Sequence, residues 1–192
     1  MRKLIYAINI TLDGCCEHTK MLSPSELRER TGGSDSEFQQ HYIQLLREVD
    51  LSIYGRITYQ LMVPYWPDIA QSHSETQEEN DFADAFEAVP RVVFSRTLQT
   101  ADEKSRIVRG NLRDEILQLK QSPGGNMLVG GVSLPAQLAE LGLIDEYRFV
   151  IQPLVSGEGR RLLEGLPQRL HLKLVDSKSF GSGCVALRYV RQ

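Results

Sequence analysis

Apolar residues fall along this chain in short blocks divided by polar stretches, and the blocks follow two different periods. Leu4 to Ile10 is an almost unbroken apolar, β-branched run, the pattern of a central strand covered on both faces. Leu51-Ser52-Ile53-Tyr54, Arg91-Val92-Val93-Phe94, Ile107-Val108 and Met127-Leu128-Val129 are shorter runs of the same kind. Between them apolar positions recur at helical spacing. Phe38, Tyr42, Leu45, Leu46 and Val49 follow Ser34-Asp35-Ser36-Glu37, which reads as a helix start, and Arg56 to Met62 stops near Pro64. Asp81 to Ala88, Asn111 to Gln121 and Val132 to Leu141 complete the predicted helices, the last with Leu134, Leu138 and Leu141 on one face.

Towards the end of the chain the period changes to two. Ile144 to Ile151 alternates in part, whereas Leu170 to Val175 and Val185 to Val190 alternate clearly across Phe180-Gly181-Ser182-Gly183, which predicts an antiparallel pair. Interleaved strands and helices over the first two thirds predict an α/β fold: a mixed, mainly parallel central sheet flanked by helices on both faces, with antiparallel C-terminal strands. Two stretches stay outside this scheme. Residues 17 to 35, with Ser23-Pro24 and Gly32-Gly33, read as a surface loop over a site, and residues 65 to 80 as a polar connection with little capacity for a core.

Composition narrows the function. The 192 residues, 41% of them hydrophobic, fit one domain over 1–192. A net charge of -3 gives no sequence-wide basic field, so nucleic acid is not an expected partner. No window approaches the roughly 18 consecutive apolar residues of a membrane span. The apolar start of the chain is too short for a secretory signal, so no membrane role is expected. Cys15, Cys16 and Cys184 cannot all pair and the first two are adjacent, which fits a reducing, cytoplasmic setting.

The chemistry-bearing motifs are glycine turns. Gly130-Gly131 stands between the strand Met127-Leu128-Val129 and the following helix, where backbone N–H groups lack internal partners and a glycine lets an anion approach. The same spacing also fits a plain tight turn. Tyr54-Gly55-Arg56 is a second strand, glycine, helix junction. The Gly-x-Gly-x-x-Gly of a Rossmann fold is absent. Cys15, Cys16 and His18 have no second ligand cluster, so no metal is expected. No Gly-x-Ser-x-Gly elbow is present, and His18, His41, His73 and His171 lack motif context. Trp66, beside prolines, reads either as a stacking platform for a planar substrate or as a loop anchor.

Five ordered segments together resemble the dihydrofolate reductase-like superfamily, in the branch similar to the reductase domain of bacterial riboflavin biosynthesis. They are Thr11-Leu12-Asp13-Gly14, Tyr54-Gly55-Arg56-Ile57-Thr58-Tyr59, Tyr65-Trp66-Pro67, Val93-Phe94-Ser95-Arg96-Thr97-Leu98, and the run from Gly124 through Asp145-Glu146 to Gly159. The resemblance implies an NADPH lying across the sheet and hydride transfer to a small pteridine, pyrimidine or related heterocycle. It implies that Gly55, Arg56 and Thr58 contact the cofactor phosphates and that Ser95 and Arg96 contact the adenosine ribose and its 2′-phosphate. Gly130, Gly131, Val132, Ser133 and Leu134 would form the pyrophosphate-binding helix start. Asp13, at the tip of the first strand, is the candidate catalytic group at the substrate end, as proton relay or hydrogen-bond partner.

The resemblance further implies a homodimer. The chain departs from true dihydrofolate reductases, because neither Asp35 nor Glu37 aligns with their substrate-facing acid, and Cys15-Cys16 replaces bulky apolar residues. The alternative reading is a non-catalytic NADP-binding or sensory module of the same fold.

Overall fold

The structure, a computed structural model, describes residues 1–29 and 37–192. Gly32-Gly33 and the helix-start residues Ser34-Asp35-Ser36 lie outside the described residues. Strands β1 (Leu4–Thr11), β2 (Val49–Gly55), β3 (Arg91–Phe94), β4 (Ser105–Val108), β5 (Asn126–Val129), β6 (Glu146–Gln152), β7 (Leu172–Ser179) and β8 (Val185–Arg191) form one eight-stranded sheet. Its order is β4-β3-β2-β5-β1-β6-β8-β7. The first six strands in that order run parallel, and β8 and β7 close the sheet antiparallel. This is the predicted mixed α/β architecture.

Strand alternation sorts the core into two faces. Leu4, Tyr6 and Ile10 of β1, Ile53 of β2, Val92 of β3 and Met127 and Val129 of β5 join one buried cluster. Ile5, Tyr54, Val93 and Leu128, their immediate neighbours in sequence, join the other. Successive side chains of a strand point to opposite faces, so each apolar run without polar interruptions serves both cores at once. Helices α6 (Leu112–Gln121) and α7 (Ser133–Glu140) supply Ile116, Leu134 and Leu138 to the first cluster. Helices α2 (Glu37–Arg47), α3 (Arg56–Met62) and α5 (Gln77–Ala88) supply Ile43, Leu45, Tyr59 and Phe86 to the second.

Two expectations are corrected. Residues 65 to 80 are not a bare connection: they contain helix α4 (Trp66–Ser72) and the start of α5. Trp66 packs on Phe82 with ring centroids 4.4 Å apart, so aromatic burial against α5 holds α4 rather than an apolar stripe of its own. Trp66 is thus an anchor, not a groove-lining platform. Residues 17 to 29 are likewise not plain loop, since they form a 3-10 turn at His18–Lys20 and helix α1 (Pro24–Glu29). A smaller shift concerns Val49, which opens β2 instead of closing α2.

Candidate active site

The parallel strands β2, β3 and β5 all end on the same edge, and the segments leaving them surround one groove of about 1060 Å³. That is at the upper end of the roughly 300–1,000 Å³ usual for ligand pockets, enough for a large ligand and a second small one. Ligands of open α/β sheets collect at this carboxyl edge because the helix starts that follow the strands point their free amides there.

Every expected cofactor residue lines this groove: Gly55, Arg56 and Thr58 after β2, Ser95 and Arg96 after β3, and Gly130 to Leu134 after β5. The two glycine turns touch each other. Gly131 has φ +93°, and a Cβ there would lie 2.2 Å from Thr58 Oγ1; a Cβ on Gly55 would stand 3.7 Å from Leu134 Cβ. Only an achiral residue brings these two corners together, since a side chain at Gly131 meets both the left-handed backbone penalty and the Thr58 hydroxyl. Tyr6 steadies the turn by donating to the Gly131 carbonyl at 3.0 Å. Burial pushes the Tyr6 phenol far up, so it keeps the proton it donates.

Neither helix start is closed by its own side chains. The N-cap residues Gly55 and Val132 make no side-chain hydrogen bond to the first turn, so α3 and α7 present amides to the groove. At the β3 corner Ser95 Oγ accepts from the Thr97 and Leu98 amides at 3.2 and 2.9 Å, which fixes the turn that carries Arg96. Arg109, leaving β4, donates to the Leu98 carbonyl at 2.7 Å and brings a second guanidinium to the same corner.

The groove is electrostatically unlike the chain as a whole. Arg56, Arg96, Arg109 and Arg160 line it against Glu17 as the single carboxylate among the described lining residues, although the protein carries net charge -3. Four guanidiniums beside open amides suit a polyanion such as a dinucleotide phosphate.

The opposite end, at β1, is built from residues that periodicity did not single out: Asn9, Glu17, Met21 and Arg160, together with Cys16. Arg160 reaches Ser133 Oγ at 3.1 Å, and its backbone N–H donates to Glu17 Oε1 at 3.0 Å. Cys16 donates its thiol to the Arg160 carbonyl, and burial raises the pKa of that thiol.

Asp13 stands apart from these. It is not among the lining residues; its carboxylate accepts from Thr11 Oγ1 at 2.5 Å and from the Ser156 and Gly157 amides at 3.0 and 2.9 Å. The Thr11 hydroxyl first, and then these amides, hold the Asp13 carboxyl down at about 2. The geometry therefore gives Asp13 a clamp on the segment after β6.

Residues 2–186 match the RibD C-terminal domain family, and the chain belongs to that family. This agrees with the resemblance carried by the glycine turns and strand ends. The chain is 30% identical over 189 residues to the uncharacterized protein YyaP of Bacillus subtilis (strain 168), covering 98% of this chain and 94% of YyaP. It is 27% identical over 191 residues to the uncharacterized protein YwjB of the same organism, covering 99% and 98%. Its fold is similar to that of a protein from Shewanella sp. PV-4 whose name assigns it provisionally to riboflavin biosynthesis. That match has TM-score 0.68 at 21% identity and covers 99% of both chains. A pyrimidine reductase-like protein from Corynebacterium diphtheriae matches with TM-score 0.62 at 13% identity, covering 100% of this chain and 92% of that one.

Proposed function

We propose that the protein is an NADPH-dependent oxidoreductase that reduces a small pteridine, pyrimidine or related heterocycle. One observation carries this reading: the turns at Gly55–Thr58, Ser95-Arg96 and Gly130–Leu134, separate in sequence, open onto one arginine-lined groove. NADPH, when bound, supplies the hydride. The protein supplies position, charge and exclusion of water.

The sheet order sets the direction of the ligand. Running from β3 through β2 and β5 to β1, the groove meets Ser95 and Arg96 first, then Arg56 and Thr58, then the Gly131 turn, and last Asn9. Arg96 and Arg109 would pair with the 2′-phosphate, the amides of α3 and α7 with the pyrophosphate, and the β1 end would receive the reacting ring and substrate. The engaged Asp13 carboxylate favours a second reading, an NADP-binding module without turnover, because it leaves the substrate end without its expected acid.

Calorimetric titration of NADPH and NADH into the wild-type protein and Arg96→Ala tests the cofactor. NADPH should bind at least tenfold more tightly, as expected when a guanidinium pairs with an extra phosphate, and the variant should narrow the gap. Equal affinity for the two dinucleotides would remove the assignment of Ser95 and Arg96. NADPH consumption with a panel of pterins and pyrimidines separates the enzyme from the binding module: no turnover above background with any of them selects the latter.

A further inference from the structure

We propose that Asn9 selects the substrate by presenting its carboxamide N–H group to a ring carbonyl, and that Tyr42 sets the orientation that makes this possible. The inference rests on the reductase reading and names the substrate edge that the site takes.

β1 outruns its neighbour. It pairs with β5 only from Leu4 to Tyr6, where Tyr6 faces Val129, yet it continues alongside β6 to Thr11. Asn9 therefore lies beyond the end of β5, at the groove end farthest from Arg96 in the sheet order. Its side chain shares a sheet face with Ala7 of the second cluster, Ile8 and Ile10 pointing to the other, so a carboxamide here is a polar group beside apolar packing. Such isolated polar groups fix orientation in otherwise apolar pockets.

A carboxamide can turn either its oxygen or its nitrogen to a ligand. Here the choice is made from behind. Tyr42, on α2, donates its hydroxyl hydrogen to Asn9 Oδ1. Its ring is wedged by edge-on contacts with Phe38 and His41 at 5.4 and 5.6 Å, and burial keeps the phenol protonated. The oxygen of Asn9 is thereby occupied, which leaves Nδ2 as the group this groove-lining residue has to offer a ligand; among the described residues that nitrogen has no hydrogen-bond partner. A free donor in a binding pocket rewards an acceptor and penalises its absence. A heterocycle bearing a C=O edge meets this demand, whereas one offering only N–H donors does not.

The probe is lumazine, a fluorescent dioxopteridine, titrated into protein saturated with NADP⁺ so that no turnover occurs. Wild-type protein should bind it. Asn9→Ala should weaken binding about tenfold and Asn9→Asp about a hundredfold, the latter because an anion faces the carbonyl; Tyr42→Phe should cost about threefold by releasing the orientation. NADP⁺ affinity should stay within about twofold throughout, as expected for a group at the far end of the groove. In wild-type protein, nitrogen-15 spectra should show the Asn9 side-chain amide shifting on lumazine addition, a readout independent of how the variants fold. Lumazine binding that ignores all three substitutions overturns the proposal, as does a wild-type protein that binds NADP⁺ but not lumazine. A parallel loss of NADP⁺ affinity would move Asn9 into the cofactor grip. Failure to bind NADP⁺ alongside Asn9-dependent lumazine binding would sink the reductase reading and leave the role of Asn9 standing.

Discussion

Gly131 and Thr58 meet so closely that a Cβ on the glycine would lie 2.2 Å from the threonine Oγ1. The contact joins the turns after β5 and β2, and it brings the starts of α7 and α3 to one place. Gly131→Ala adds two costs, the left-handed backbone at φ +93° and the collision with the hydroxyl, and together these should destabilise the fold by about 1–3 kcal/mol. Thr58→Ala removes the second cost but not the first. Denaturant unfolding of both single variants and the double variant should show the pair less destabilised than the sum of its parts. Strict additivity would mean that the two turns do not press on each other.

One residue away, Tyr59 ties the same corner to a buried ion network. Its hydroxyl donates to Asp102 Oδ1 at 3.1 Å and accepts from the Asp102 amide at 2.9 Å, while Asp102 Oδ2 accepts from Arg91 at 2.8 Å. The Arg91 side chain is completely buried, also donating to Glu87 at 3.0 Å, with its guanidinium 5.0 Å from the Phe86 ring centroid. Removing one partner of a buried pair is worse than replacing the whole pair, because the remaining charge stays desolvated. Asp102→Ala, which leaves Arg91 only Glu87 as an ionic partner, should therefore cost about 2 kcal/mol by thermal or denaturant unfolding, and Arg91→Met combined with Asp102→Ala should recover part of it. A double variant no better than the single one would show that packing, not charge, governs this corner.

Local pattern carried the sheet because its strands are runs of apolar residues whose alternation the two cores absorb separately, as Ile53 and Tyr54 or Val92 and Val93 show. It carried the glycine turns because Gly130-Gly131 and Gly55 stand between an apolar strand run and a helix start. Helix α4 left no such trace. Ile69 is its one buried residue, and its stability comes from Trp66 meeting Phe82, a contact that exists only once α5 folds back. The α5 start was readable in Thr76 and Glu79, which form a capping box. Asn9 and Arg160 became visible only in three dimensions, because they converge from β1 and the segment after β6. Arg109 had a local signal, since it follows the Ile107-Val108 strand as Ser95-Arg96 follows β3.

Asp13 offers the sharpest division between a structural and a chemical role. Its carboxylate holds Ser156 and Gly157, and around it Leu12 donates to the Leu154 carbonyl, Cys16 to Arg160 and Leu162 to Gly14. These bonds lash the segment after β6 to the end of β1, which also sets Arg160 at the groove. The folded carboxyl sits at about 2 against an ordinary value of 3.8, so the folded protein favours the ionised form. The stabilisation is complete above the ordinary value and disappears as pH falls through the interval down to about 2. Carbon-13 titration of the Asp13 carboxyl should give that low value, with the Gly157 amide proton shifting in step. Asp13→Asn keeps the shape but weakens the charge-assisted bonds, so it should flatten the pH dependence of stability between about 4 and 2 and speed amide exchange in residues 153 to 161. Nucleotide binding should survive. If Asp13→Asn instead abolishes NADPH consumption while exchange in that segment is unchanged, the carboxylate belongs to the reaction and not to the clamp.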